Sequence, residues 1–190
     1  MEKIIQQHIE EHLSVAKQLV SLQPSIKTIA EIMIDALSQH KTIFWCGNGG
    51  SASDSQHLAG ELIGRFVGDR KPLKSIALNA DSAVMTCIVN DYGYEHIYSR
   101  QVEGLGVKGD VLIGITTSGN SQNVLNAFKV ANDMGMKTIG LLGKGGGRAA
   151  SLVQQSIIIP SNTTARIQEM HILIGHILCD LIEEGLHLKA

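Results

Sequence analysis

The sequence predicts an α/β fold: a doubly wound parallel sheet of five strands flanked by helices. Short apolar runs alternate with longer segments in which apolar residues recur at helical spacing, as in repeated strand–helix units. The runs IFWC, VLIGI and SIIIP are typical of central strands that helices cover on both faces. The 190 residues suit a single domain, 1–190, and no low-complexity linker divides them.

Two helices are predicted before the first strand. Over 3–22 the apolar residues form one helical stripe, made of Ile4, Ile5, Ile9, Leu13, Ala16, Leu19 and Val20. A second helix begins at Pro24 and Ser25 and ends near residue 37, because proline is favoured in the first turn of a helix.

Strands and helices then alternate to the end of the chain. In order, we predict a strand at 42–46, a helix at 51–66, a strand at 75–78, helices at 82–88 and 95–105, a strand at 111–116, a helix at 121–134, a strand at 137–142, a short helix after the glycines of 143–147, a strand at 156–159 and a long C-terminal helix at 163–186. This last helix is apolar on most faces, so it needs a second partner surface. We therefore expect an oligomer built on helices.

Composition and charge exclude several classes of protein. The net charge is −2 and no basic run exceeds two residues, so the sequence offers no surface for nucleic acid or an anionic membrane. Cys46, Cys87 and Cys179 are odd in number and lie in apolar stretches, which predicts buried thiols in a reducing compartment. The first residues lack the pattern of a secretory signal, and no apolar segment is suited to span a membrane. We expect a cytoplasmic protein.

Two loops are candidates for ligand binding, because ligands of open α/β sheets lie beyond the carboxyl ends of the strands. The glycine loop, 46–51, lets backbone N–H groups approach a ligand closely. The hydroxyl loop, 116–121, adds four hydroxyl side chains to the free amides at a helix start, which suits a phosphate. Tight turns and helix caps use the same residue types, so either loop alone decides nothing. As a pair in one sheet, they favour a phosphorylated ligand.

A nucleotide-binding Rossmann domain is an alternative, because the glycine loop also matches G-x-G-x-x-A. The acidic residue expected at the end of the second strand is absent, since SIALN ends in Asn79. Two helices also precede the loop where a Rossmann domain begins with a strand. We therefore expect no nucleotide cofactor.

Titratable side chains near the predicted site indicate proton transfer. His57 and Glu61 are four residues apart and share one face of the helix that follows the glycine loop. In the last helix, Gln168, Glu169, His171 and His176 interrupt an apolar surface. A lone histidine in that setting is more often a core residue, and we interpret His171 in that way. Aldose–ketose isomerisation needs a carboxylate base and a partner acid, which Glu61 and His176 could supply.

With these residues collected, the sequence resembles the sugar isomerase (SIS) family, and within it the phosphoheptose isomerases, over nearly the whole chain. The resemblance rests on CGNGGSASDSQHLAGELIGR, on VNDYG, on GDVLIGITTSGNS and on ARIQEMHILIGHILCDLI. It implies conversion of sedoheptulose 7-phosphate into D-glycero-D-manno-heptose 7-phosphate, the first step toward the heptose of lipopolysaccharide core. Glu61 is then the general base and His176 the general acid.

The resemblance also implies the residues of the substrate site, with the hydroxyl loop taking the phosphate. They are Asn48, Gly49, Gly50, Ser51, Glu61, Asn90, Asp91, Thr116, Thr117, Ser118, Ser121 and Gln168. Two departures from the family pattern are Thr116, where serine is common, and Ala165, where some members carry an aspartate.

Members of the family can carry zinc, with ligands that correspond to His57, Glu61, Gln168 and His176. Gln168 and His176 are eight residues apart, about 12 Å along one helix at roughly 1.5 Å per residue. One of the two is therefore expected from a neighbouring subunit. The resemblance implies a homotetramer with active sites near the subunit contacts.

Two other functions stay open. Relatives of the same fold include non-catalytic proteins that bind the bacterial replication initiator, and they lack the full acid–base set that is present here. An isomerase of another sugar phosphate is the second alternative. The sequence does not decide the anomer released, the need for zinc or the nucleotide of the later activated heptose.

Overall fold

A parallel sheet lies at the centre of the computed structural model, which describes residues 1–188. Its strands are β1 (Ile43–Gly47), β2 (Ser75–Ala77), β3 (Val111–Thr116), β4 (Lys137–Leu142) and β5 (Gln155–Ile158). Their order across the sheet is β2-β1-β3-β4-β5, and each neighbouring pair is parallel. The predicted five-stranded, doubly wound sheet is confirmed.

Seven α-helices surround the sheet within the described residues. They are α1 (Glu2–Gln18), α2 (Gln23–Ser38), α3 (Gly50–Ile63), α4 (Ser82–Tyr92), α5 (Ser99–Leu105), α6 (Gln122–Asp133) and α7 (Thr164–Gly185). Helices α1, α2, α3 and α7 pack on one face and α4, α5 and α6 on the other, with a hydrophobic core under each layer. Successive residues of β1 alternate between these cores: Trp45 points into the first, and Phe44 and Cys46 into the second.

The order of the strands reverses between β1 and β3, which are direct neighbours in register at Cys46 and Gly114. The connection from β1 leads outward to one edge of the sheet and that from β3 leads to the other. The loops that follow these two strands therefore flank a crevice at the carboxyl end of the sheet, where α/β proteins bind ligands.

The N-terminal helices form as predicted, but the apolar stripe of α1 is not covered within one chain. Val15 and Leu19 are buried against the body of the protein. Five other apolar side chains of this region are more than half exposed: Ile4, Ile5, Ile9, Leu13 and Val20. No helix in residues 1–188 has the length and hydropathy of a membrane span.

Helix boundaries differ from the predictions in three places. Helix α3 ends at Ile63, three residues early, because the backbone at Gly64 leaves the helical conformation. Helix α4 continues to Tyr92, with the carboxylate of Asp81 capping its start through the N–H of Val84 at 3.0 Å. The helix predicted at 95–105 is a 3-10 turn, Tyr94–His96, followed by α5.

Cys87 corrects the prediction of three buried thiols. Cys46 and Cys179 are buried, whereas Cys87 is exposed. The apolar sequence around it forms α4, in which Ile88 alone is buried, so most of this helix faces outward in a single chain.

A buried carboxylate near the end of α7 holds the loop that follows α3. Glu183 is fully buried and accepts hydrogen bonds from the backbone N–H groups of Phe66, Val67 and Gly68 at 2.9–3.0 Å. The guanidinium of Arg70 donates to the same carboxylate at 2.8 Å. Burial alone would raise the pKa of Glu183, but these hydrogen bonds outweigh it and lower the pKa to about 2.

Replacement of Glu183 should destabilise the fold strongly. Glu183→Ala leaves the Arg70 cation and three backbone N–H groups buried without their acceptor, so we expect a loss of about 3–5 kcal/mol in the free energy of unfolding. Glu183→Gln keeps the volume and should lose about 1.5–3 kcal/mol. Urea unfolding at pH 7 measures both, with the exposed Glu103→Gln as the matched control.

The pH dependence of this stability difference should show that the ionised carboxylate of Glu183 is the stabilising form. Because the pKa of Glu183 falls from 4.5 to about 2 on folding, its contribution is complete above pH 4.5 and is lost as the pH falls toward 2. The stability difference between wild type and Glu183→Gln should therefore shrink over that range. A difference that is constant from pH 7 to pH 3 would contradict this assignment.

Candidate active site

The glycine loop joins β1 to α3 at the crevice, and its backbone lies open to a ligand. Gly49 has a φ of 58°, and a side chain added there would meet nothing within 4 Å. A Cβ at Gly50 would overlap the side-chain amide of Gln168 on α7. The predicted residues Gly50 and Gln168 therefore lie against each other, and Ser51 is buried directly behind them.

The hydroxyl loop joins β3 to α6 on the other side of the crevice. Thr116 Oγ1 lies 3.0 Å from Ser121 Oγ and 3.5 Å from Ser118 Oγ. The hydroxyl of Ser121, at the start of α6, makes no capping hydrogen bond to the helix. The N–H groups of Gln122 and Asn123 at the start of α6 make no described hydrogen bond, whereas that of Val124 donates to Asn123 Oδ1. Hydroxyls beside free helix-start amides are the arrangement that binds phosphate.

The glycine run after β4 supports the hydroxyl loop from behind. A Cβ at Gly119, which has a φ of 64°, would overlap the backbone of Gly146. The carboxamide oxygen of Asn120 accepts a hydrogen bond from the N–H of Arg148 at 3.1 Å. These close contacts fix the curvature of the loop.

Three titratable side chains from the middle of two helices meet in one cluster. His57 Nε2 lies 3.0 Å from Glu61 Oε1 on α3. The ring of His176 on α7 packs edge-on against His57, with ring centroids 5.0 Å apart. One ligand atom from each of the three lies within 4.8 Å of the others. The structure thus brings together the two residues predicted as base and acid.

This triad has the donor set of a catalytic metal site. Two imidazole nitrogens and one carboxylate oxygen are a known ligand set of catalytic zinc, which keeps its fourth position open for water or substrate. The three residues therefore fit a divalent metal such as zinc.

Two residues that the sequence analysis did not identify surround the triad. The ring of Phe66 stacks on His176 with centroids 5.5 Å apart. Asp54 lies one turn before His57 on α3, and one of its carboxylate oxygens is buried without a hydrogen-bond partner. Burial raises the pKa of Asp54, while the nearby His57 and His176 act in the opposite direction. The three-residue spacing of Asp54 and His57 places both on one face of α3 and could have identified Asp54 as a neighbour of the site. Nothing in the sequence indicated Phe66.

Gln168, Asn90 and Asp91 lie apart from the triad. Gln168 contacts Gly50, which precedes His57 by seven residues, about 10 Å along α3. Asn90 and Asp91 are exposed in the last turn of α4, where the amide of Asn90 donates to Asp91 at 2.7 Å. Within residues 1–188, no hydrogen bond joins Asn90 or Asp91 to the other residues predicted to bind the substrate.

His171 is a core residue, as predicted. It is fully buried, and its Nε2–H donates to the backbone carbonyl of Leu142 at 3.1 Å. Burial lowers the pKa of His171 to about 4, so the ring is neutral at physiological pH.

Comparison with known proteins identifies the family of the chain. The SIS domain family matches residues 7–143. The phosphoheptose isomerase of a Nitratiruptor species is 53% identical over 185 residues, which cover 97% of this chain and 99% of that protein.

Solved structures give the same result. The phosphoheptose isomerase of Neisseria gonorrhoeae superposes with a TM-score of 0.92 at 40% identity, over 96% of this chain and 98% of that one. The phosphoheptose isomerase of Francisella tularensis superposes with a TM-score of 0.93 at 36% identity, over 96% and 97%. The chain therefore belongs to the phosphoheptose isomerases of the SIS domain family.

Proposed function

We propose that this isomerase converts sedoheptulose 7-phosphate into D-glycero-D-manno-heptose 7-phosphate. The observation that carries the proposal is the meeting of Glu61 and His176 in one cluster. The two loops at the crevice add groups suited to a sugar phosphate. Glu61 removes a proton from C1 of the ketose and returns it to C2. His176 gives a proton to O2 and takes one from O1, so that the carbonyl moves from C2 to C1 through an enediol.

The remaining predicted residues bind the substrate in this proposal. Thr116, Thr117, Ser118 and Ser121 take the phosphate, and the glycine loop with Gln168 faces the reacting end. The product supplies the heptose of lipopolysaccharide core. The reaction takes place in the cytoplasm, where the free thiols of the chain stay reduced.

Deuterium transfer tests the reaction and the two roles. In D2O the wild-type enzyme should form the aldoheptose phosphate with deuterium at C2, because the proton on the base exchanges with solvent. Glu61→Gln and His176→Gln should each lower kcat by about 10²–10⁴-fold, the usual contribution of a general acid or base. NMR follows product and label together.

His187→Gln, an exposed histidine outside the site, is the matched control and should retain wild-type activity. Wild-type rates in either site variant would contradict the assigned pair. Turnover of another sugar phosphate, with none of the heptulose, would move the proposal to that substrate.

The proposal includes a zinc ion held by one ligand atom each of His57, Glu61 and His176. Glu61 then keeps its second carboxylate oxygen, and His176 its second ring nitrogen, for the proton steps. A bound zinc ion would polarise the sugar carbonyl as a Lewis acid. Since Gln168 of the same chain lies near Gly50, the fourth ligand of the family pattern comes in this proposal from Gln168 of a neighbouring subunit.

Calorimetric titration of the metal-free protein with zinc tests this site. Wild-type protein should bind one zinc ion per chain, and His57→Ala should weaken binding by more than about 100-fold, beyond the effect of an outer-shell contact. His187→Ala is the control. Equal affinity in wild type and His57→Ala would place the zinc elsewhere.

A homotetramer completes the proposal. The exposed stripe of α1 runs beside an apolar surface groove that Leu173 and Ile177 of α7 line. These apolar residues are contiguous, whereas monomers usually expose apolar residues singly. In this proposal a second copy of the chain covers them.

Introducing negative charge into the apolar stripe of α1 tests the assembly. Ile9→Glu together with Leu13→Glu should convert the tetramer into smaller species in sedimentation equilibrium, because two carboxylates would be buried at the contact. Lys71→Glu, in an exposed loop, is the control. A tetramer that survives the double substitution would show that α1 does not form the contact.

The triad also distinguishes this chain from a replication-initiator-binding scaffold. Polar side chains on largely apolar helices reduce stability unless they are paired or used. Their convergence in one cluster therefore favours a catalyst.

A further inference from the structure

A hydrogen-bonded network of side chains lies at the sheet crevice and runs from the buried Asn123 through the half-buried Asn48 to the exposed Tyr94. Asn48 Nδ2 donates to Asn123 Oδ1 at 2.9 Å, and Asn123 Nδ2 donates back to Asn48 Oδ1 at 2.8 Å. The hydroxyl of Tyr94 donates to Asn48 Oδ1 at 2.9 Å. We call Asn48, Tyr94 and Asn123, with the backbone N–H of Val124, the Asn48 amide network.

A backbone donor fixes the direction of every bond in this network. The N–H of Val124 donates to one side-chain atom of Asn123 at 2.9 Å, and only an oxygen can accept it. Asn123 must therefore present its Nδ2 to Asn48, whose facing atom is the oxygen Oδ1. The orientation of the Asn48 amide follows from a donor that cannot reverse.

The network occupies all but one of the hydrogen-bonding positions of Asn48. A carboxamide has two acceptor positions and two N–H donors. Asn123 and Tyr94 fill both acceptor positions, and Asn123 takes one N–H. The Tyr98 hydroxyl, 3.4 Å from Asn48 Oδ1, gives its single proton to the carbonyl of Gly47 instead. One N–H of Asn48 remains.

We infer that Asn123 and Tyr94 are positioning residues that hold Asn48 as a hydrogen-bond donor to an oxygen of the sugar. Asn48, Tyr94, Ser121 and Asn123 line one cavity, where Asn123 is buried and Asn48 is half-buried. The carboxamide of Asn123 is already bonded to Asn48 and to the N–H of Val124, so we expect it to act on the sugar through Asn48. The Asn48 amide held in this way can only donate to a ligand, because both of its acceptor positions are filled. It therefore selects a sugar with a hydroxyl or carbonyl oxygen facing its free N–H. The inference rests on the proposed function for the identity of the sugar.

Kinetic double-mutant cycles test whether these residues act through Asn48. Asn123→Asp keeps the acceptor for Val124 and Asn48 but has no N–H for Asn48 Oδ1, and Tyr94→Phe removes one donor. In otherwise wild-type enzyme we expect kcat/KM to fall about 10-fold for Asn123→Asp and about 3-fold for Tyr94→Phe, the range of single hydrogen bonds. In an Asn48→Ala background, each substitution should change kcat/KM less than about 2-fold.

Controls separate positioning from folding. Tyr92→Phe, whose ring packs under the Arg100 guanidinium and lies outside the network, should retain wild-type kcat/KM. Thermal unfolding of every variant reports any general loss of structure. Losses that multiply fully in the Asn48→Ala background would overturn the inference, because Asn123 and Tyr94 would then act independently of Asn48.

A second measurement does not depend on turnover. The side-chain NH2 of Asn48 should give two NMR resonances with unequal solvent exchange, one proton being bound to Asn123 and the other free. Asn123→Asp and Tyr94→Phe should change both resonances, and Tyr92→Phe should not. Equal, fast exchange of the two protons in wild-type protein would overturn the positioning role. If this pattern is present but sedoheptulose 7-phosphate is not converted, the proposed substrate is wrong and the network stands.

Discussion

The parallel packing of α3 against α7 sets the geometry of the active site. Three contacts follow each other along the two helices: Gln168 lies against Gly50, Gly175 against Leu58, and Glu183 against the loop at Gly68. A side chain at Gly175 would overlap Leu58, so the helices approach closely at that point. This register places His176 beside His57 and Glu61. Side chains distant in sequence meet because the helices that carry them cannot slide past one another.

The crevice is fixed separately, by contacts between loops. The reciprocal amides of Asn48 and Asn123 join the end of β1 to the start of α6, and Gly119 packs on the backbone of Gly146. The candidate site is thus held in two parts, the triad by packed helices and the crevice by contacts between loops.

The sequence predicts the strands well because their buried runs leave no polar face to confuse the pattern. It also finds His57 and Glu61, since a four-residue spacing places them on one helical face. Helix ends are less predictable: α3 ends at Ile63 because Glu183, far along the chain, holds the following loop. The contacts of Phe66 and Asn123 cannot be predicted from local sequence patterns for the same reason, since their partners are distant in the chain. A phenylalanine and an asparagine look ordinary until tertiary structure shows what they contact.

Two carboxylates of the α3–α7 pair, Glu183 and Asp54, differ in how fully they are hydrogen-bonded. Glu183 accepts hydrogen bonds on both carboxylate oxygens and has a low pKa, as expected of a carboxylate that stabilises the fold. Asp54 keeps a buried oxygen without a partner next to His57 and His176, at a cost in stability. Carboxylates with a perturbed pKa cluster at functional sites. The helix pair is therefore fully hydrogen-bonded where Glu183 holds the fold and electrostatically unsaturated beside the triad, where we propose that protons are transferred.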